Sequence, residues 1–315
     1  MARDTFEAWL PEEPGSVVIQ KIVRTSAAED FCRHEPMRST TKSVPRSGGF
    51  TVAAIAKGAA YPEATSTNDE VLLTAVKIGG ASRVADEDIT DSPAQIIPAK
   101  KLDAAQSYAR FLDNAVFGTT AAANLGTIPF DSVYRTVVNG TASGYSAGDN
   151  YTKTAGAFAL SHLNTTMGKL DSSQYSSDDD LVVIAHTSFK GYLRGLLDTT
   201  GRPIYMDSVA LGQPATLYGY PIHFTAGAKT TATATDSPQV ANGTTQGTVG
   251  NPLLIIANRQ QLILGDRTGF ESWLASPHEP GPGMLTDEWI MQVRARKAFA
   301  VGHPGGVAVL EVTTA

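Results

Sequence analysis

The feature that most constrains this chain is a pair of strand-like runs with no third run beside them. Residues 50–56 (FTVAAIA) and 71–78 (VLLTAVKI), the second continued by 82–85 (SRVA), flank a tip at 58–68 rich in Gly, Pro, Ser, Thr and Asn. The pattern predicts a long two-stranded hairpin with a wide loop. A ribbon of two strands is marginal in water at best, so this one must lie on something else. It either folds back on its own domain or rests on a neighbouring subunit, and the residues leave both readings open.

Before the hairpin, residues 1–49 mix Pro11, Pro14, Pro36 and Pro45 with a mixed-charge stretch at 29–35. Only 17–19 and 22–23 look like strand, which predicts an extended arm rather than a domain. After the hairpin, Ser92, Pro93 and Gln95 have the spacing of a capping box with proline at the first helical position. Pro98 restarts the helix. Leu102, Ala105, Tyr108, Ala109, Leu112, Ala115 and Val116 then recur at three- and four-residue spacing, and Gly118 suits a helix end. The result is one amphipathic helix of about five turns.

Further on, 155–170 reads as helix, and the acidic run 178–180 leads into 181–185 (LVVIA), a continuous apolar run that suits a buried strand. Thr187 can cap a helix through Phe189, Tyr192, Leu193, Leu196 and Leu197. A strand over 215–224 is interrupted by Gly219 and Pro221. Residues 225–251 are almost all Thr, Ala, Gly, Asn, Ser and Gln, which predicts a surface loop that cannot bury enough to order itself. Strands resume at 252–257 and 261–264. From Glu288 to Val301 the alternation is strict, with Met291, Val293 and Ala295 on one face and Gln292, Arg294 and Arg296 on the other. His303, Pro304, Gly305 and Gly306 turn the chain into a last apolar strand at 307–312. Helix, buried strand and helix in succession indicate a mixed domain.

Composition excludes several classes of function. With 42% hydrophobic and 18% charged residues the chain must fold. Its net charge of −6 has the wrong sign for a protein that wraps phosphate backbones. The one cysteine, Cys32, cannot form an internal disulfide or a thiolate cage. The first ten residues carry acids where an export signal needs an apolar core, and no run reaches about 18 apolar residues, so neither export nor a membrane span is expected. Glycosylation triplets at Asn139, Asn150, Asn164 and Asn242 are chance matches in a chain this rich in Ser and Thr.

Catalytic motifs are weak. Residues 144–148 (GYSAG) match the nucleophile-elbow pattern around Ser146, but that chemistry needs a buried strand before the serine and a helix after it, and here turn-formers stand on both sides. The six histidines include no pair at helical ligand spacing. His186, after its buried strand, is the best single metal-ligand candidate. Asp178, Asp179 and Asp180 lack the alternating ligands of a calcium loop, and no glycine run forms a phosphate cradle. The cluster Arg294, Arg296 and Lys297 on an acidic chain fits salt bridges between subunits better than phosphate contacts. No cofactor, metal or catalytic residue is assigned.

Arm, long hairpin, long helix, α/β domain and late long strand, in that order, resemble the major capsid proteins of tailed bacteriophages with the HK97-type fold. The resemblance covers nearly the whole chain. It rests on 60–63 (AYPE), 84–92 (VADEDITDS), 109–118 (ARFLDNAVFG), 197–204 (LDTTGRPI), 217–222 (LYGYPI), 265–269 (GDRTG) and 294–301 (RARKAFAV) in colinear order. It implies an α+β fold with an N-terminal arm at 1–49 and an E-loop hairpin at 50–91. A peripheral domain at 92–129 and 258–299 would carry the spine helix, and an axial domain would occupy 130–257 and 300–315.

The E-loop would then lie across an adjacent subunit. The function implied is self-assembly as hexamers and pentamers into an icosahedral shell around double-stranded DNA, enclosed without sequence-specific binding. A portal protein, a separate scaffolding protein and a possible decoration protein would be its partners, with assembly in the bacterial cytoplasm and no membrane. Candidates for contact between subunits are Lys57, Tyr61, Glu63, Arg83, Arg294 and Arg296. Some family members crosslink a lysine to an asparagine, but nothing here fixes a partner for Lys57, and that chemistry is not expected. An encapsulin, a bacterial shell of the same fold around enzyme cargo, is the nearest alternative. A hydrolase using Ser146 is the alternative from another class.

Overall fold

The fold is seen in a computed structural model that describes residues 26–48, 52–61, 63, 68–92, 95–154, 158–197, 216–234, 250–279, 281 and 283–313. The strand-like runs at 17–19 and 22–23 lie outside the described residues. The expected arm is, in its described part, built into the body. Helix α1 (Ala27–Phe31) buries Ala27 and Ala28 completely, and β1 (Arg33–Pro36) pairs in parallel with residues 263–266.

The hairpin also differs from expectation. Strand β2 (Thr41–Arg46) pairs antiparallel with β3 (Asp69–Thr74), from Thr41 opposite Thr74 to Arg46 opposite Asp69. Residues 52–56, expected to supply the first strand, form none and lie exposed. The reason is cross-strand chemistry that apolar periodicity does not register. Arg46 forms an ion pair with Asp69, Ser43 donates to Glu70, and Val44 packs against the small core that holds Met37, Leu73 and Ile263. Pro45 is tolerated because β2 belongs to a ribbon of only two strands.

Strand β4 (Val76–Ala85) follows, then α2 (Asp86–Asp91) and the long α3 (Ile96–Phe117). Ser92 is the C-terminal cap of α2, Pro93 lies outside the described residues, and α3 begins at Ile96, just after the Gln95 of the expected capping box. The C-terminal end of α3 falls where the sequence placed it. Gly118 donates to the Asn114 carbonyl at 3.0 Å, and a Cβ there would stand 1.9 Å from the Lys229 carbonyl oxygen. Only glycine admits that approach.

Residues 226–234, expected to be part of a loose loop, are held by the end of α3. Asn114 donates to the Gly227 carbonyl at 3.2 Å, Thr231 donates to Asn114 at 2.8 Å, and Ala228 is fully buried. Small side chains cost this segment apolar burial, but they let its backbone come close enough to bond.

Seven elements and then β9 build the centre. They are α4 (Val133–Asn139), β5 (Tyr151–Thr154), α5 (Leu160–Asp171), β6 (Leu181–His186), α6 (Phe189–Arg194), β7 (Thr216–Leu217), β8 (Tyr220–Thr225) and β9 (Leu253–Asn258). Ser188, not Thr187, precedes α6. Tyr218 and Gly219, both at positive φ, make the turn between β7 and β8.

Then come β10 (Leu262–Ala275), β11 (Glu288–Val301) and β12 (Val307–Val312). The six-stranded sheet runs β5-β12-β9-β6-β8-β7. In its middle strands alternate residues enter two cores. Val182, Ile184, Leu253, Ile255, Val307 and Val309 meet Leu112, Val116 and Phe117 of α3. Val183, Ala185, Leu254, Ile256, Ala308 and Leu310 meet Leu163 and Leu170 of α5 and Phe189 and Leu193 of α6. Burial on both faces is what a continuous apolar run encodes.

A four-stranded sheet runs β1-β10-β11-β4. By contacts the chain divides into two compact units. One holds Gly79–Ser107 with Phe270–Arg294, and the other holds Thr25–Ile78, Tyr108–Gly269 and Ala295–Ala315. No helix among the described residues is long and apolar enough to cross a membrane.

One buried carboxylate joins three distant segments of the larger unit. Asp113 on α3 accepts from Ser26 Oγ at 2.6 Å, the Ala27 and Ala28 amides at 3.2 and 3.0 Å, and Thr225 Oγ1 at 2.5 Å. It therefore receives the N-terminus of α1 and the end of β8 together. Burial pushes the carboxyl above its ordinary range, while the hydroxyl and amide donors pull it down. Asp113→Ala orphans these donors at about 1–3 kcal/mol each. Urea denaturation should show a loss of about 3 kcal/mol or more, and an unchanged midpoint would mean that water replaces the carboxylate. Ser26→Ala, which removes one cap hydroxyl, should cost about 1 kcal/mol.

Candidate subunit interface

The ribbon of β2 and β3 ends at a polar clamp. Arg46 forms a two-point ion pair with Asp69, and its remaining Nη1 donates to the Gly302 carbonyl at 2.9 Å. The guanidinium holds the Asp69 carboxyl below its usual range. Beyond it, Gly48 donates to Asn68 Oδ1 at 3.1 Å.

Past the clamp the chain leaves cover. Val52 is 84% exposed and Tyr61 85% exposed, with Ile55 exposed between them. Lys57 and Glu63 are exposed as well. Gly58, at φ +84°, sits in a turn closed by the Ala59 amide on the Ala56 carbonyl at 3.0 Å. Apolar side chains in water on a segment anchored at its base are the pattern of a surface that another molecule covers. Opposite charges at 46 and 69, flanking a Gly/Ser/Thr-rich tip, are the sequence signal that could have located the clamp.

Two of the other contact candidates, Arg83 and Arg294, have partners within the chain. Arg83 pairs with Glu288 at 3.2 Å. Arg294 pairs with Glu271 at 3.3 Å, and its guanidinium lies 4.1 Å from the centre of the Trp273 ring. Arg296 is half-buried, with no hydrogen-bond partner for Nε among the described residues. Lys297, grouped by sequence with these surface cations, is instead buried. It bonds Asp266 at 2.7 Å and Glu29 at 3.0 Å. Burial works against its charge, but the bonds to Asp266 and Glu29 outweigh that and raise its pKa.

Ser146 does not sit on an elbow. It lies in an exposed turn between α4 and β5, where its amide donates to Asp149 at 2.8 Å and where Gly144 and Gly148 take positive φ. The histidine of this region, His303, has both ring nitrogens engaged. Nε2 donates to the Ser143 carbonyl at 3.1 Å, Nδ1 accepts the Gly305 amide at 3.0 Å, and the ring stacks on Tyr175. Burial lowers its pKa.

Several of the groups that line the adjoining polar hollow of about 510 Å³ have partners within the chain. Lys169 donates to the Tyr151 carbonyl at 2.5 Å, and Asn150 to the Gly305 and Val307 carbonyls at 3.1 and 3.0 Å. His186 is buried and pushed down to about 4, with Nδ1 bonded to Ser188 at 2.9 Å. Among the described residues no cluster of three or more His, Cys, Asp or Glu side chains could hold a metal ion.

A family model described as the phage capsid family matches residues 8–310. The chain belongs to the phage capsid family. Its fold is similar to that of a protein of Mycobacterium phage Ogopogo, with a TM-score of 0.74 at 15% identity, over 99% of this chain and 100% of that one. A protein of Mycobacterium phage Bobi gives a TM-score of 0.72 at 14% identity, over 98% and 97%. The capsid of a native GTA particle gives 0.67 at 17% identity, again over 98% and 97%. No curated protein matches by sequence.

The fold is thus the HK97-type capsid fold, and the chain is a phage major capsid protein, a structural component of the virion shell. The encapsulin alternative is not favoured. A serine-reactive phosphonate should leave the intact mass unchanged, because Ser146 stands in an exposed turn and both ring nitrogens of His303 are engaged elsewhere. A stoichiometric adduct there would reopen the hydrolase reading.

Proposed function

We propose that copies of this capsid protein assemble as hexamers and pentamers into an icosahedral shell around double-stranded DNA, and that residues 47–68 reach across a neighbouring copy. The observation that carries this reading is the clamped but uncovered loop. Arg46 and Asp69 fix its base, while Val52, Ile55 and Tyr61 stand exposed among the described residues. Lys57, Tyr61 and Glu63 are its contact residues. Arg83, Arg294 and Arg296 are secondary candidates, because Arg83 and Arg294 would have to exchange or share partners within the chain to reach a neighbour.

In this reading 92–129 with 258–299 form the peripheral domain, and 130–257 with 300–315 form the axial domain. The hairpin takes its first strand from β2, so the E-loop region begins within the segment assigned to the arm. Symmetric closure needs a surface that repeats, not a reacting centre, and the protein has no catalytic role. A net charge of −6 suits a container that encloses DNA without sequence-specific binding. A portal protein, a scaffolding protein on a separate chain and a decoration protein are the partners such a shell uses, with assembly in the host cytoplasm.

Cryo-electron microscopy of purified particles should show closed shells with 47–68 lying over a neighbour, and packing of that loop on its own subunit in the shell would overturn the proposal. Tyr61→Ala and Val52→Ser should leave the unfolding midpoint of the subunit unchanged while lowering the yield of shells by size exclusion. Equal yields would show that the loop does not hold neighbours together.

A further inference from the structure

We propose that His34 is a pH-dependent bolt that fastens α1 and β1 to the body of the subunit. His34, on β1, places Nδ1 2.5 Å from Asp266 Oδ2 on β10 and Nε2 2.7 Å from the Glu29 carbonyl oxygen on α1. Both partners are acceptors only at these atoms. A neutral imidazole carries one N–H, so it can satisfy one of them and must turn a lone pair toward the other. Only the imidazolium donates to both.

The groups around the ring reinforce this. Lys297 on β11 bonds both Asp266 and the Glu29 carboxylate, and Tyr108 on α3 donates to that carboxylate at 3.0 Å. Arg259 donates to the Asp30 and Phe31 carbonyls at 3.2 and 3.3 Å. Lys42 and Arg33 face Glu35 farther along β1. Two cations, His34 and Lys297, balance two carboxylates, Glu29 and Asp266, only while His34 is protonated. Its loss leaves one excess negative charge and a lone pair against Asp266.

The Glu29 carbonyl and then the Asp266 carboxylate raise the pKa of His34 above its ordinary 6.5. For a group whose folded-state pKa is raised, the stabilisation is fully present below 6.5 and is lost as pH rises through the folded-state value. The 26–36 segment is therefore held more firmly in mildly acidic solution than above neutrality. His34 remains 45% exposed on its side chain, so water and salt moderate the effect, which takes the form of local opening rather than global unfolding.

Mass-spectrometric exchange of the histidine C2 hydrogens in the full-length protein reads each imidazole separately. His34 should titrate above 6.5, with His186, pushed down to about 4, as the internal contrast. Amide exchange over 27–36, corrected for intrinsic rates, should rise several-fold from about pH 6 to about pH 8. His34→Gln should abolish that rise and exchange at the faster rate throughout. A titration at or below 6.5, or a rise that persists in His34→Gln, overturns the proposal. If the variant does not fold, the wild-type titration decides alone.

Discussion

The fold depends on one buried carboxylate. Asp113 accepts from residues 26–28 and 225 at once, so α1, α3 and β8 cannot take their places independently. A charge this deep is tolerable only because every donor is supplied, and the same donors make the three segments mutually exclusive of other arrangements. The next residue extends the effect. Asn114 bonds the backbone at 227 and 229 and the hydroxyl of Thr231, which ties the strand-to-strand crossing after β8 to the end of the same helix.

Around this point the larger unit uses its polar groups internally. Glu311, buried on β12, receives Tyr134 and Tyr151 hydroxyls and the Asn251 amide. Lys297 bridges two carboxylates, and Asn150 bonds the turn before β12. Bonds of this kind hold the strands and helices they join in register. Exposed apolar residues stand where the chain extends beyond Arg46 and Asp69, at Val52, Ile55 and Tyr61, and also at Phe270, Trp273, Met284 and Leu285. In the proposed reading the loop makes the contact between copies, and the body presents it.

The corrections to the sequence reading share a cause. Strand β2 was hidden because Thr41, Lys42, Ser43, Val44, Pro45 and Arg46 carry almost no apolar signal, and their partner is chosen by ion pairing and by the small core that Val44 packs against. Residues 226–234 resembled a solvated loop because composition counts side-chain burial, whereas this segment is held through its backbone. Lys297 resembled its neighbours Arg294 and Arg296, yet its register on β11 turns it toward Glu29 and Asp266.

The sequence by itself determined the elements whose cause is local. Leu112, Val116 and Gly118 marked the buried face and the end of α3, the apolar runs marked β6, β9 and β12, and strict alternation marked the outer half of β11. Those signals are written in neighbours three or four residues apart, or two, because helices and strands repeat at those periods. Only the tertiary structure decided which strand completes the hairpin, where the N-terminal segment docks, and which histidine sits between two acceptors. Each of those joins residues far apart in the chain, and Asp113 or His34 acquires its role only when α1, α3, β8 and β10 are already in place.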